Sequence, residues 1–259
     1  MRYQAVLFDF DYTLGDSTGP IAMGYRGGLT AMGWPPPTVE QVRPTIGHTL
    51  QDGYTMLTGD DSEDRRSEFF HRFQEAVGEQ AVLRGNAAMI TETKLLPGAR
   101  ELLVALKEAG AAAGVVSTKL GVTIRAIFSY NGMEGAVWPV IGGEDVISPK
   151  PDPQGLNTAL AQLSLRPNQV LFCGDTVIDA RTAQAAGTDF CAVLNGTTPA
   201  EAFGFFPCVH IAPDLWELKE WLFDPGISRP QGRGPLAGPV SNGPQNERAA
   251  EDGGPYKEG

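Results

Sequence analysis

The sequence is short of positive charge, of cysteine and of long apolar runs, and each shortage removes a class of function. Its 20 Lys and Arg stand against 31 Asp and Glu, a formal net charge of −11. Affinity for nucleic acid comes mainly from cations that neutralise phosphates, so no nucleic-acid partner is expected. The same deficit means that an anionic substrate must be captured locally, by a metal ion and a few placed cations, because the long-range field opposes its approach. The 3 cysteines, Cys173, Cys191 and Cys208, have no CxxC or other ligand spacing. Cys173 and Cys191 lie in apolar runs and read as small buried hydrophobes. No stretch approaches the ~18 uninterrupted apolar residues of a membrane span. Met1 leads into the strand-like AVLFDF with no charged leader before it. The expectation is a soluble cytoplasmic protein with no membrane partner; its oligomeric state is not readable.

What is present is an alternation of short apolar runs with helical periodicities. The runs are Ala5–Phe10, Ala113–Ser117, Val137–Ile141, Val170–Cys173 and Phe190–Leu194, and helical patterns cover Gly98–Ala109, Val122–Tyr130, Gln154–Leu163 and Asp179–Ala186. Strands alternating with helices of this length imply right-handed crossovers, hence an α/β, doubly wound and mostly parallel sheet. Ligands of such sheets lie outside the carboxyl ends of the strands, so polar residues there are the ones to inspect.

Residues 17–93 break the rhythm. Leu29, Met32, Val42, Met56, Phe69, Phe70, Phe73 and Val77 fall at helix-like spacings with no convincing strand, and Thr38 and Asp61 or Ser62 are candidate N-caps. This segment reads as an inserted α-helical domain whose Met and Phe stripe forms a small core. The α/β core is then 1–16 with 94–223. From 224 to 259 the chain is rich in Gly, Pro and polar residues with almost nothing to bury, and is expected to be a disordered tail.

Four features stand at strand ends. In DFDYT, Asp9 and Asp11 are i and i+2, so on an extended strand end both project to one side. Beside a divalent cation, one such carboxylate can attack phosphorus while the other donates and later accepts a proton. In VVSTK, the Ser117 hydroxyl can bond a phosphoryl oxygen, or merely cap the next helix. In SPKPDP, Lys150 is held between prolines ahead of a helix, where a fixed ammonium offsets transition-state charge. In CGDTVID, Asp175 and Asp179 can face one cation across a strand-to-helix turn, which suits Mg²⁺; the plain alternative is an N-cap and a first-turn acid. Taken singly, each has an ordinary structural explanation. Their order, DxDxT, hydroxyl, Lys, GDxxxD, with each at a strand end, favours phosphoryl chemistry.

With these four motifs the chain resembles the haloacid dehalogenase-like hydrolase superfamily over residues 4–223. GGEDVISPKPDP and VEQVRPTIGH further resemble phosphoglycolate phosphatase-like members, which carry a helical cap between the first and second motifs. The resemblance implies a Rossmann-like core and a Mg²⁺-dependent hydrolysis of a small phosphorylated metabolite, with phosphoglycolate the leading candidate. It implies that Asp9 forms an aspartyl phosphate, that Asp11 is the general acid/base and that Ser117 and Lys150 bind phosphate. Asp9, the main-chain carbonyl of Asp11, and Asp175 would hold the metal, with Asp179 and Thr13 in support. Tyr12 departs from the Gly of many relatives, and is expected to constrain the loop or narrow the entrance.

Asp11 argues against dehalogenases, which lack it. The absence of lysine before Lys94 argues against phosphonate cleavage through a Schiff base on the cap. A phosphomutase or phosphotransferase acting on sugar phosphates stays open. It needs cap cations, of which the sequence offers Arg26, Arg43, Arg65, Arg66, Arg72, Arg84, His48 and His71. Arg65 and Arg66 read as a solvated face, whereas Arg43 and His48 flank the IGH turn and are the candidate specificity residues. A non-catalytic regulatory protein on the same fold is the remaining alternative.

Overall fold

The computed structural model describes residues 1–78, 87–224 and 226. The expected tail, save Asp224 and Gly226, and Arg84 lie outside the described residues. Six strands form one wholly parallel sheet: β1 (Ala5–Phe8), β4 (Ala112–Val116), β5 (Val140–Ile141), β6 (Val170–Gly174), β7 (Asp189–Val193) and β8 (Cys208–Ala212). Their spatial order is β5-β4-β1-β6-β7-β8. Counted along the chain, this is the 3-2-1-4-5-6 order of the doubly wound dinucleotide-binding folds, with its reversal between β1 and β6.

Alternate residues of each strand feed two cores. Val6, Phe8, Leu171 and Cys173 pack on one face against Leu102 and Leu106 of α6 (Ala99–Glu108), Ile124 and Phe128 of α7 (Gly121–Tyr130), and Leu218 and Leu222 of α10 (Leu215–Phe223). Ala5, Leu7, Val170 and Phe172 face Leu156 and Leu160 of α8 (Gln154–Leu163) and Ala180 and Ala183 of α9 (Val177–Ala186) on the other. Burial on both faces is why the central strands read as unbroken apolar runs.

Three strand expectations need correction. β1 ends at Phe8 rather than Phe10, because the Phe10 carbonyl accepts from the N–H groups of Thr13, Leu14 and Gly15 and turns the chain. The expected Val137–Ile141 strand shrinks to β5, since Pro139 has no N–H for the ladder and the pairing covers only Val140 and Ile141. β8 and α10 had no counterpart in the sequence reading. β8 is a half-buried edge strand without an apolar run, and α10 begins at Asp214, whose carboxylate accepts from the N–H groups of Trp216 and Glu217.

The chain leaves and re-enters this domain through a two-stranded antiparallel stem, β2 (Gly15–Asp16) with β3 (Lys94–Leu95). The described residues between are helical: α1 (Thr18–Ala31), α2 (Val39–Val42), α3 (Leu50–Thr58), α4 (Glu63–Val77) and α5 (Ala88–Thr91). Thr38 starts α2 with a capping box, and Ser62 starts α4 without a side-chain cap. Leu29, Met32, Val42, Phe69, Phe73 and Val77 meet in one core with Tyr25 and Tyr54, whose rings each lie 5.2 Å from that of Phe69. Two members of the expected stripe stand apart. Met56 is 49% exposed on the outer side of α3, and Phe70 is half-buried beside a cavity. Among the described residues, no helix is long and apolar enough to cross a membrane.

Candidate active site

The strand register carries the motifs to one place. Phe8 is level with Val115 of β4 and Cys173 of β6, and the Asp9 N–H donates to the Cys173 carbonyl at 2.9 Å. Asp9 follows β1, Ser117 follows β4 and Asp175 follows β6, all at carboxyl ends and astride the reversal of strand order where such sheets bind ligands.

Asp9, Asp175 and Asp179 are buried, and a carboxylate oxygen from each lies within 4.8 Å of the others. Lys150, also buried, supplies the nearest cation. Its Nζ donates to Asp179 Oδ1 at 2.5 Å and sits 2.9 Å from Asp9 Oδ1, off the line of a good hydrogen bond. This burial excludes the surface-lysine reading. Burial works against the Lys150 charge, but Asp179 and then Asp9 outweigh it and raise its pKa. Burial first, then Asp179 and Asp9, push the Asp175 carboxyl well above the usual carboxylate range. Burial also raises Asp179, against the pull of Lys150.

Two glycines make the room. A side chain at Gly174 would collide with Asp179, and one at Gly196 with Asp175. The N-cap of α9 is Thr176 rather than Asp175. Asp179 accepts from the Thr176 N–H and hydroxyl, which aims its other oxygen at Lys150. Thr13 Oγ1 donates to Asp175 Oδ1 at 3.2 Å, so the first loop fixes the third carboxylate. Ser117 does not cap α7. Its Oγ accepts from the Lys119 N–H at 3.3 Å, and α7 is capped from afar by Glu144, which accepts from the N–H groups of Gly121 and Val122.

Three buried carboxylates against one ammonium leave an excess of negative charge, and Asp9 Oδ1 has no hydrogen-bond partner. Hard oxygen donors with uncompensated charge are what a Mg²⁺-sized cation requires, so these residues fit one. The Asp11 carboxylate stands outside this group. It is paired with Lys119, whose Nζ donates to Asp11 Oδ2 at 3.1 Å in a site where both side chains are buried. Lys119 was missed at the sequence level; its place two residues beyond Ser117, on the same strand end, was the available signal.

A cavity of about 330 Å³ opens from Asp11 between the sheet edge and the helical insertion. Residues 45–51, Phe70, Phe73 and Met89 wall it on one side, and residues 118–120 with Gly143, Glu144, Val146, Ile147 and Pro149 on the other. His48 lines it, whereas Arg43 is exposed and is not among the lining residues. Tyr12 does not narrow the entrance. At φ +57° it adopts the left-handed conformation that explains why glycine suits this position, and its ring enters the core of the insertion. There its hydroxyl lies 2.8 Å from Thr18 Oγ1.

Comparison with known proteins agrees with this architecture. Residues 6–193 match the family model of the haloacid dehalogenase-like hydrolases. The chain is 31% identical over 201 residues to an N-acetylmuramic acid 6-phosphate phosphatase of Pseudomonas aeruginosa, covering 76% of this chain and 84% of that one. It is 28% identical over 230 residues to a phosphoglycolate phosphatase of Xanthomonas campestris pv. campestris, covering 85% and 99%. The crystal structure of a protein described as a haloacid dehalogenase-like hydrolase from Bacteroides fragilis superposes with a TM-score of 0.77 at 34% identity, covering 83% and 99%. The chain belongs to the haloacid dehalogenase-like hydrolase family.

Proposed function

We propose that the protein is a phosphatase that hydrolyses a small organic phosphate monoester through an aspartyl phosphate on Asp9. The observation that carries this reading is the buried group of Asp9, Asp175, Asp179 and Lys150, with Asp11 one turn of loop away at the mouth of the cavity. The Asp9 carboxylate attacks phosphorus as the bond to the leaving oxygen breaks, and Asp11 in its carboxyl form gives that oxygen a proton. Asp11 then takes a proton from water, whose oxygen attacks the phosphoryl group, releases phosphate and restores Asp9. The Ser117 hydroxyl and Lys150 ammonium hold the phosphoryl oxygens, and Lys119 keeps Asp11 in place. Asp9, the main-chain carbonyl of Asp11, and Asp175, with Asp179 in support, would hold a Mg²⁺, which would supply charge neutralisation at the phosphoryl group. The described helices α1 to α5, between the two strands of the stem, act as a cap over the site, opening to admit substrate and release product.

Hydrolysis is favoured over transfer between sugar hydroxyls. A transferase needs cap cations for a second phosphate, and among the described lining residues the insertion contributes only His48. Phosphoglycolate, the substrate named for several relatives, is the first ester to assay. The test is phosphate release from a panel of monoesters with Mg²⁺ and then with EDTA. Turnover that stops with EDTA supports the proposal; no release from any ester defeats it.

A further inference from the structure

Resting on that phosphatase reading, we propose that the natural leaving group is a bulky, uncharged, largely apolar alcohol rather than a small carboxylate-bearing one. The part of the cavity beyond Asp11 is where the leaving group of a phosphorylated Asp9 must go, because Asp11 is the group that protonates it. That space is walled by Ile46, Leu50, Phe70, Met89, Val146 and Ile147. Two of these are otherwise unexplained. Phe70 is only half-buried and lies outside the core of the insertion, although its helix neighbours Phe69 and Phe73 both belong to it. Ile147 is 93% exposed on a loop that reaches the cavity rim three residues before Lys150. An apolar ligand in the cavity gives both side chains a contact.

Charge points the same way. Among the described lining residues the one permanent cation is Lys119, and its ammonium is already spent on Asp11. Glu144 also lines the wall, so with Asp11 in its carboxyl form the lysine is matched by an acid and no positive charge is left over for an anionic group. A carboxylate leaving group would find no free cation among the described lining residues, whereas an apolar one gains burial. Arg43, the cation the sequence offered for a second anionic group, is not in the wall.

The experiment compares kcat/KM for 2-phenylethyl phosphate, ethyl phosphate and 2-phosphoglycolate, all esters of ordinary alcohols, so leaving-group acidity is not what separates them. The expected order places 2-phenylethyl phosphate first, at least about tenfold above the other two, since one buried methylene alone is worth roughly that much. Phe70→Ala should raise KM for 2-phenylethyl phosphate severalfold more than it raises KM for ethyl phosphate. Phosphoglycolate equal to or better than 2-phenylethyl phosphate overturns the inference while leaving the phosphatase reading intact. Failure to hydrolyse any of the three, with release from another ester of the panel, overturns the inference alone; no release from any ester sinks both.

Discussion

Asp175→Asn should make the metal-free protein more stable while destroying its activity. Three carboxylates are confined with oxygens within 4.8 Å of one another, and Asp175 is the one with no lysine contact. At an effective dielectric of about 20, two like charges at that separation repel by roughly 3.5 kcal/mol, and Asp175 faces two such partners. Attraction to the Lys150 ammonium cancels much of this, leaving a net gain on removing the charge of about 1–2 kcal/mol, within the usual range for relieved functional strain. Asn keeps the shape and can still accept from Thr13 Oγ1, so packing is unchanged. For a chain of this size the gain converts to a Tm rise of about 2–8 °C in EDTA. Added Mg²⁺ should reverse the ranking, because at about 100 times its Kd a bound ion contributes roughly 2.7 kcal/mol to the parent and little to the variant. Thermal melts with and without Mg²⁺ measure both. A variant no more stable than the parent in EDTA, or one stabilised equally by Mg²⁺, would refute the reasoning.

Lys119→Met should lower kcat by roughly 10- to 100-fold with little change in KM, because Asp11 loses the contact that positions it; recovery of most of the rate in Lys119→Arg would separate positioning from misfolding. Tyr12→Phe removes the hydroxyl contact to Thr18 inside the insertion and should cost about 1 kcal/mol. A Tm unchanged within error would show that this contact contributes nothing. Burial pushes the Cys208 thiol up to about 11, so native alkylation by iodoacetamide should be slow at pH 8. The rate should rise about tenfold per pH unit toward that value as thiolate forms. Alkylation at pH 8 as fast as that of free cysteine would contradict this.

The central sheet was legible because burial on both faces writes itself as unbroken apolar runs, as in Val170–Cys173. The placement of Asp9, Ser117 and Asp175 was legible because each follows such a run directly. What escaped depends on contacts between distant segments. The position of Lys119 two residues after Ser117 marks it as near the strand end, but its partner Asp11 lies 108 residues away in sequence and only the fold brings the two together. Helical spacing put Phe70 in the same stripe as Phe69 and Phe73, but adjacent residues on a helix point about 100° apart and only two of the three face the core. Tyr12 departed visibly from glycine, yet its destination depended on the insertion core that receives it. β8 was hidden because an edge strand with one wet face lacks the apolar continuity of its neighbours. For α10, the Asp214 cap and the 215, 218, 221, 222 spacing carried a readable signal.

The account stands on Asp9 as the atom donor to phosphorus. Acid-quenching the enzyme during turnover of its best ester, followed by peptide mass spectrometry, tests this most directly. The expected result is one phosphoryl group on Asp9 in the parent, more of it in Asp11→Asn if a fast-leaving aryl phosphate is used, and none in Asp9→Asn, which does not turn over. Turnover by Asp9→Asn at near the parent rate, or a phosphoryl group trapped on any other residue, would contradict it.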